Sequence, residues 1–244
     1  MIKRIIQNIA QRKNPKFKLD SNISNGILFH FAWDRFCALI RGLRALLFGN
    51  SLSMLMLGAR VSIKGWKYFS FGKGVQIAND VMINAYGKEG LTIGSYCWIG
   101  SYSCLKVSFS FHEAGNYIRI GNNVGIGEYA HLGGAGGLQI GDDCIIGPYF
   151  SCHPENHQFL DQKELIRLQG VIRKGIKIGK NCWIGAKVTI LDGVSIGDNC
   201  IIAAGAVINR DMPSNAVIGG LPARVIRTRS ENDAINSTDS IRVA

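Results

Sequence analysis

From Ile178 onward an isoleucine recurs at every sixth residue, at Ile178, Ile184, Ile190, Ile196, Ile202 and Ile208. Four residues after each of the first five stands Cys182, Val188, Val194, Cys200 or Ala206, so the unit reads aliphatic, often Gly, two polar, small, any. The same unit recurs upstream in Ile93-Gly94-Ser95-Tyr96-Cys97, Ile120-Gly121-Asn122-Asn123-Val124 and Ile140-Gly141-Asp142-Asp143-Cys144, with Phe71, Ile77 and Ile83 as a degenerate earlier run. An amphipathic helix would place its apolar residues three and four apart, and glycine beside nearly every one would be costly there. A six-residue period predicts one short strand and one turn per unit, three units closing a triangular coil with the aliphatic residue pointing inward. The expected fold is all-β, a left-handed parallel β-helix of hexapeptide repeats.

The pattern changes at both ends and once in the middle. Residues 27–48 run apolar with His30, Asp34, Arg41 and Arg44 on one helical face, which predicts a helix with a very broad apolar remainder. Such a helix either caps the open end of the β-helix or lies in a membrane interface, and the two are compatible. Between Cys152 and Ile178 the six-residue ladder is interrupted by a long insertion. The organisation expected is a helical N-terminal segment over 1–50, the β-helix over 51–228 with its loop at 152–177, and a polar tail over 229–244.

Charge sharpens the reading of the N-terminus. The formal net charge is +11, and the first fifty residues hold nine Lys and Arg against two Asp. They gather at Lys3, Arg4, Arg12, Lys13, Lys16 and Lys18, ahead of the apolar helix, which suits an anionic membrane surface better than a nucleic acid. Residues 1–48 are therefore expected to associate peripherally with membrane, and no nucleic-acid partner is expected. The seven cysteines form no CxxC pair and no zinc-site spacing, and Cys97, Cys144, Cys182 and Cys200 fall on the small inward position, where a thiol acts as a small hydrophobe. No metal is expected. With neither a secretory signal nor a spanning run, the expected location is cytoplasmic, at the inner face of the membrane.

Candidate chemistry lies in the interruption. It carries His153 and His157, two of the five histidines, in the run His153-Pro154-Glu155-Asn156-His157-Gln158-Phe159. Long loops inside a compact domain are usually functional. Together with Gln169-Gly170, Lys174-Gly175-Ile176-Lys177-Ile178-Gly179, Trp183-Ile184-Gly185-Ala186, the run from Ile202 to Pro213 and the close Gly219-Gly220-Leu221-Pro222-Ala223-Arg224-Val225-Ile226-Arg227, this stretch resembles the hexapeptide acetyltransferases. Within them it resembles the capsule, O-antigen and exopolysaccharide sugar O-acetyltransferases.

The resemblance implies transfer of an acetyl group from acetyl-CoA to a sugar hydroxyl, with a loop histidine as general base. Imidazole has the proton affinity for that task near neutral pH. The Asn-His-x-Phe run implies His157 as the base; other branches use a His-Pro pair, and His153-Pro154 makes His153 the second choice. Acetyl-CoA is expected along the coils after the loop, against Ala186, Ala204 and Gly205, with Trp183 at the acetyl site or a subunit boundary. Asn209, Arg210, Arg224 and Arg227 are expected near its phosphates. Relatives are trimers with the site between subunits, so a homotrimer and a sugar or glycan acceptor are the implied partners.

Two stretches depart from the relatives. No polar acceptor contact is evident around Ile126 to His131, and Leu105 to Ile120, with Phe109, Phe111, His112 and Tyr117, is expected to break the ladder. The rival functions are a serine or amino-sugar acetyltransferase, a zinc enzyme of the γ-carbonic anhydrase type, and a non-catalytic β-helix.

Overall fold

The computed structural model describes residues 16–20, 22–48, 54–107 and 113–229, with Lys3, Gln7, Asn8 and Gln11 ahead of them. Arg4, Arg12, Lys13, Phe109, Phe111, His112 and the tail from Ser230 lie outside these residues.

Very short strands stack in parallel into three faces of a left-handed prism. The first face holds Met56–Leu57, Gln76–Ile77, Trp98–Ile99, Gly125–Ile126, Ile145–Ile146, Trp183–Ile184, Ile201–Ile202 and Ala216–Gly220. The second runs from Ser62–Lys64 through Cys104–Lys106, His131–Gly133 and Ser151–His153 to Val207–Ile208. The third runs from Phe69–Phe71 through Gly90–Ile93, Tyr117–Ile120 and Ile176–Ile178 to Ser195–Ile196. Register is kept coil to coil: Ile126 lies between Ile99 and Ile146, all three buried. That alignment makes each aliphatic column one continuous core, as the six-residue period requires.

The corners explain the polar half of each repeat. Between the third and first faces the chain turns through a left-handed residue at Tyr96, Asn123, Asp143, Asn181, Asn199 and Asn215, with φ between 53° and 62°. Asn and Asp tolerate that conformation better than other residues with a Cβ. Gly127 is required for a different reason: a Cβ there would lie 2.5 Å from the Pro148 nitrogen of the next coil.

The inward cysteines fill space as expected, and each also bonds the adjoining coil. The thiols of Cys97, Cys144, Cys182 and Cys200 reach the carbonyls of Gly121, Gly179, Gly197 and Pro213 at 3.0–3.4 Å. All four are buried, free thiols.

Helix α1 spans Asn25–Gly42, capped by Ser24, whose hydroxyl accepts from the Ile27 N–H at 3.2 Å. The helix expected to run to residue 48 stops at Gly42 and tightens into a 3-10 segment, Leu43–Phe48. Gly42 is buried against the Leu55 carbonyl, where any Cβ would overlap it, so the chain changes course on contact with the first coil. Arg41 donates to the Leu57 carbonyl at 2.7 Å and Arg44 to the Val61 carbonyl at 3.3 Å, so α1 and the 3-10 segment together cover the first coil's open end. Its outer stripe of Phe29, Trp33, Phe36 and Ile40 is exposed. Among the described residues, no helix is long and apolar enough to cross a membrane.

The expected break between Leu105 and Ile120 is narrower than the sequence suggested. Cys104–Lys106 pairs with His131–Gly133, and Tyr117–Ile120 pairs with Gly90–Ile93 residue for residue, so only a corner is enlarged. The other end closes on an antiparallel strand, Ala223–Thr228, which folds back along Ala216–Gly220.

Candidate functional site

The insertion forms a ribbon raised from the corner between the second and third faces. The coil strand continues through His153, paired with Leu191, and the next coil resumes at Ile176, so the interruption is shorter than 152–177. Between them Asn156–His157 pairs antiparallel with Val171–Ile172, and Gln158 N–H donates to the Gly170 carbonyl at 3.0 Å. Gly170, at φ 86°, supplies the turn. The Gln169 amide ties the outer loop by donating to the carbonyls of Asp161 and Glu164 at 2.8 and 2.9 Å. The Gln169-Gly170 pair is thus the clasp of the ribbon.

The ribbon's base is held by charge. Arg173 donates to Glu155 at 2.6 Å and lies 3.3 Å from the Glu113 carboxylate, with its side chain only 12% exposed. Asp192 accepts from the N–H groups of Lys174 and Gly175 at 2.8–3.0 Å. A largely buried guanidinium between two carboxylates fixes the exit angle of the ribbon more firmly than an exposed pair would.

His157 stands on the ribbon, exposed, opposite Val171. His153 lies at the coil wall, its ring stacked on that of His131 with centroids 5.6 Å apart. The two imidazoles, with Gly133, Ala135, Cys152, Pro154 and Glu155, line a cavity of about 220 Å³. Burial lowers the His131 pKa below the ordinary imidazole value, and His153 and Lys106 push it the same way, so this ring resists protonation. His131 falls in the stretch where no acceptor contact was evident from sequence. The pairing was hidden because a whole coil of the prism, 21 residues, lies between the two histidines.

The remaining predicted residues divide among separate edges. Ala186, Ala204 and Gly205 share the corner between the first and second faces, where Gly205 N–H donates to the Ala186 carbonyl at 2.8 Å. Asn209 and Arg210 are exposed after the last second-face strand, below the ribbon. Arg224 and Arg227 lie on the closing antiparallel strand. Trp183 points outward from the first face. Within one chain the ribbon and the Ala186–Gly205 edge therefore sit at opposite margins of the second face, not in one pocket. Among the described residues, no group of three His, Cys, Asp or Glu could hold a metal ion.

A triangular solenoid of six-residue units with one histidine-bearing ribbon defines a class, and comparison with known proteins agrees with it. Residues 175–210 match the bacterial transferase hexapeptide family of six repeats. The chain is 34% identical over 146 residues to the galactoside O-acetyltransferase of Escherichia coli (strain K12), covering 58% of this chain and 66% of that protein. It is 38% identical over 122 residues to the sophorolipid acetyltransferase of Starmerella bombicola, covering 48% and 46%. A solved maltose O-acetyltransferase from Clostridium difficile 630 aligns over 82% of this chain and 88% of its own at 22% identity, with a TM-score of 0.44. The chain thus spans between about half and two thirds of the length of these curated relatives. The matched repeats and these relatives support a hexapeptide-repeat acyltransferase.

Proposed function

We propose that this protein transfers an acetyl group from acetyl-CoA to a sugar hydroxyl, with His157 as general base. The observation that carries this reading is the braced ribbon, which holds a histidine clear of a wall otherwise made of regular coils. In the step proposed, the imidazole takes the proton of the acceptor hydroxyl as its oxygen attacks the thioester carbonyl. The carbon–sulfur bond of the tetrahedral intermediate then breaks, and the imidazolium protonates the departing thiolate. Ala186, Ala204 and Gly205 offer an edge without long side chains for the pantetheine arm. Asn209, Arg210, Arg224 and Arg227 are the donors for its phosphates.

The separation of ribbon and edge within one chain favours a site shared between copies, and we propose a homotrimer. Trp98, Ile145 and Trp183 are exposed in one column of the first face, Ile145 beside Trp183 and Gly125 between Trp98 and Ile145, which suits a subunit contact. The acceptor proposed is a surface polysaccharide or its precursor, handled in the cytoplasm at the membrane's inner face. The exposed stripe of α1 and the basic residues ahead of it support peripheral lipid contact, which vesicle co-sedimentation would test.

The test of the chemistry is thiol release from acetyl-CoA with sugar acceptors, and mass spectrometry of the product. Truncating His157 to Ala should lower turnover by about 10²–10⁴-fold. Label on an amine instead of a hydroxyl would overturn the O-acetyl assignment. One observation favours a second reading, in which His153 is the base: it lines a cavity together with His131, on which its ring stacks. Loss of turnover in His153→Ala with retention in His157→Ala would select it.

A further inference from the structure

The corner between the first and second faces carries a column of residues of which the proposed chemistry uses only the last, Gly205. In successive coils its left-handed positions are Arg60, Asp80, Tyr102, Tyr129, Tyr149, Lys187 and Gly205, with φ between 55° and 72°. A bulky aromatic side chain is poorly suited to that backbone, and the neighbouring corner uses Asn or Asp at five of seven coils. Here three consecutive coils carry tyrosine. Tyr102 and Tyr129 stack with centroids 5.0 Å apart and planes 11° from parallel; Tyr129 and Tyr149 stack at 4.9 Å and 5°. The rings are 53%, 48% and 52% exposed, so they form a rigid outward ladder and not a piece of core.

The ends of the ladder give it a direction. At one end Asp80, one coil from Tyr102 in the same column, takes two bonds from Arg60 at 2.5 and 2.7 Å. At the other end the column runs through Lys187, whose N–H donates to the Pro148 carbonyl at 2.9 Å, to Gly205 on Ala186. Tyr149 therefore stands one coil above the edge assigned to the acetyl donor. A strip of ring edges and hydroxyls repeating at about the length of one sugar unit meets the oxygens of an extended neutral saccharide, because the edge of an aromatic ring is its positive side.

We propose that Tyr102, Tyr129 and Tyr149 form a track for a neutral acceptor oligosaccharide of two or three units, running away from the acetyl group. This deepens the proposed function, on which its catalytic meaning rests. A second copy of the chain could also cover tyrosines, but the ladder's continuity with the donor edge and its row of hydroxyls favour a glycan.

The test replaces all three tyrosines with Asn, which suits the left-handed corner and so should leave thermal stability equal or higher. Binding is read on an array of neutral bacterial surface oligosaccharides of one to five units, without acetyl-CoA. Wild-type affinity should rise by about tenfold or more between one and three units, and the triple variant should lose that rise. A length-independent affinity, or a variant that keeps the rise, overturns the track. So does dissociation of the variant into smaller species on sedimentation, which would make the ladder a subunit contact. If the wild type shows the length dependence yet transfers no acetyl group to any bound glycan, the track stands and the acetyltransferase reading falls.

Discussion

Substituting Ala for Gly127 tests directly how tightly the coils are stacked. The added Cβ would lie 2.5 Å from the Pro148 nitrogen, 2.7 Å from the Gly147 carbonyl carbon and 2.8 Å from the Pro148 Cα, well short of ordinary contact at 3.4 Å. All three atoms are backbone, so no side chain can swing aside. Relief requires the coils to part where Gly127 N–H donates to the Ile146 carbonyl and Tyr149 N–H to the Glu128 carbonyl, both at 2.8 Å. Overpacking typically costs about 1–3 kcal/mol, and weakening two hydrogen bonds adds about 0.5–1.5 each, for roughly 2–6 kcal/mol in all. For a chain of this size that lowers Tm by roughly 4–24 °C. The control is Gly26→Ala in the first turn of α1, where the Cβ would meet only the Ser24 hydroxyl at 3.7 Å. It should stabilise by up to about 1 kcal/mol, since Ala is the better helix former. Urea and thermal melts followed by circular dichroism read both. A Gly127→Ala protein as stable as wild type would refute the claim that direct backbone stacking sets this position.

Acidification should destabilise the fold in two windows. His131 is depressed below its ordinary 6.5, so as pH falls from about 6.5 the unfolded chain takes up a proton that the folded one resists, and stability drops until the folded pKa is passed. His131→Gln should flatten that window in Tm-against-pH curves; an unchanged slope would deny the depression. Asp80 and Asp142 are held below the usual carboxylate value, chiefly by the hydrogen bonds from Arg60 and from the Asn122 N–H, so their share is lost below about pH 3.8. In native protein at pH 8, iodoacetamide should label Cys37 and Cys104 before the buried thiols. Cys182, pushed up to about 11 first by its bond with Cys144, should stay unlabelled until urea is added. Replacing Arg173 with Gln should leave Glu155 and Glu113 without their cation and speed proteolysis within 159–168 while the coils stay intact; an unchanged cleavage rate would show that the ribbon is braced elsewhere.

The coils were legible in sequence because every sixth residue meets the same physical surroundings, so Ile184, Ile190 and Cys200 declare their burial by position alone. The corners were not. Tyr102, Tyr129 and Tyr149 lie 27 and 20 residues apart, and only known coil lengths reveal that they superimpose. The same irregularity hid the stack of His131 on His153. Arg173 was concealed differently: its partners Glu113 and Glu155 come from different coils at the corner between the second and third faces, and no local pattern marks a charge that bridges them. The end of α1 at Gly42 also escaped, because the apolar run continues past it and only contact with Leu55 stops the helix.

The treatment of the two ends has a consequence for solubility. Every coil is a template for the next, and a parallel ladder has no intrinsic stopping point: a bare end coil would recruit a strand from any neighbouring molecule and grow lengthwise. Arg41 and Arg44 occupy carbonyls at one end, and Ala223–Thr228 reverses direction at the other, where an antiparallel strand breaks the repeat. These terminators make the protein a particle of finite length. Removing residues 22–48 should turn it into the seed of a fibre.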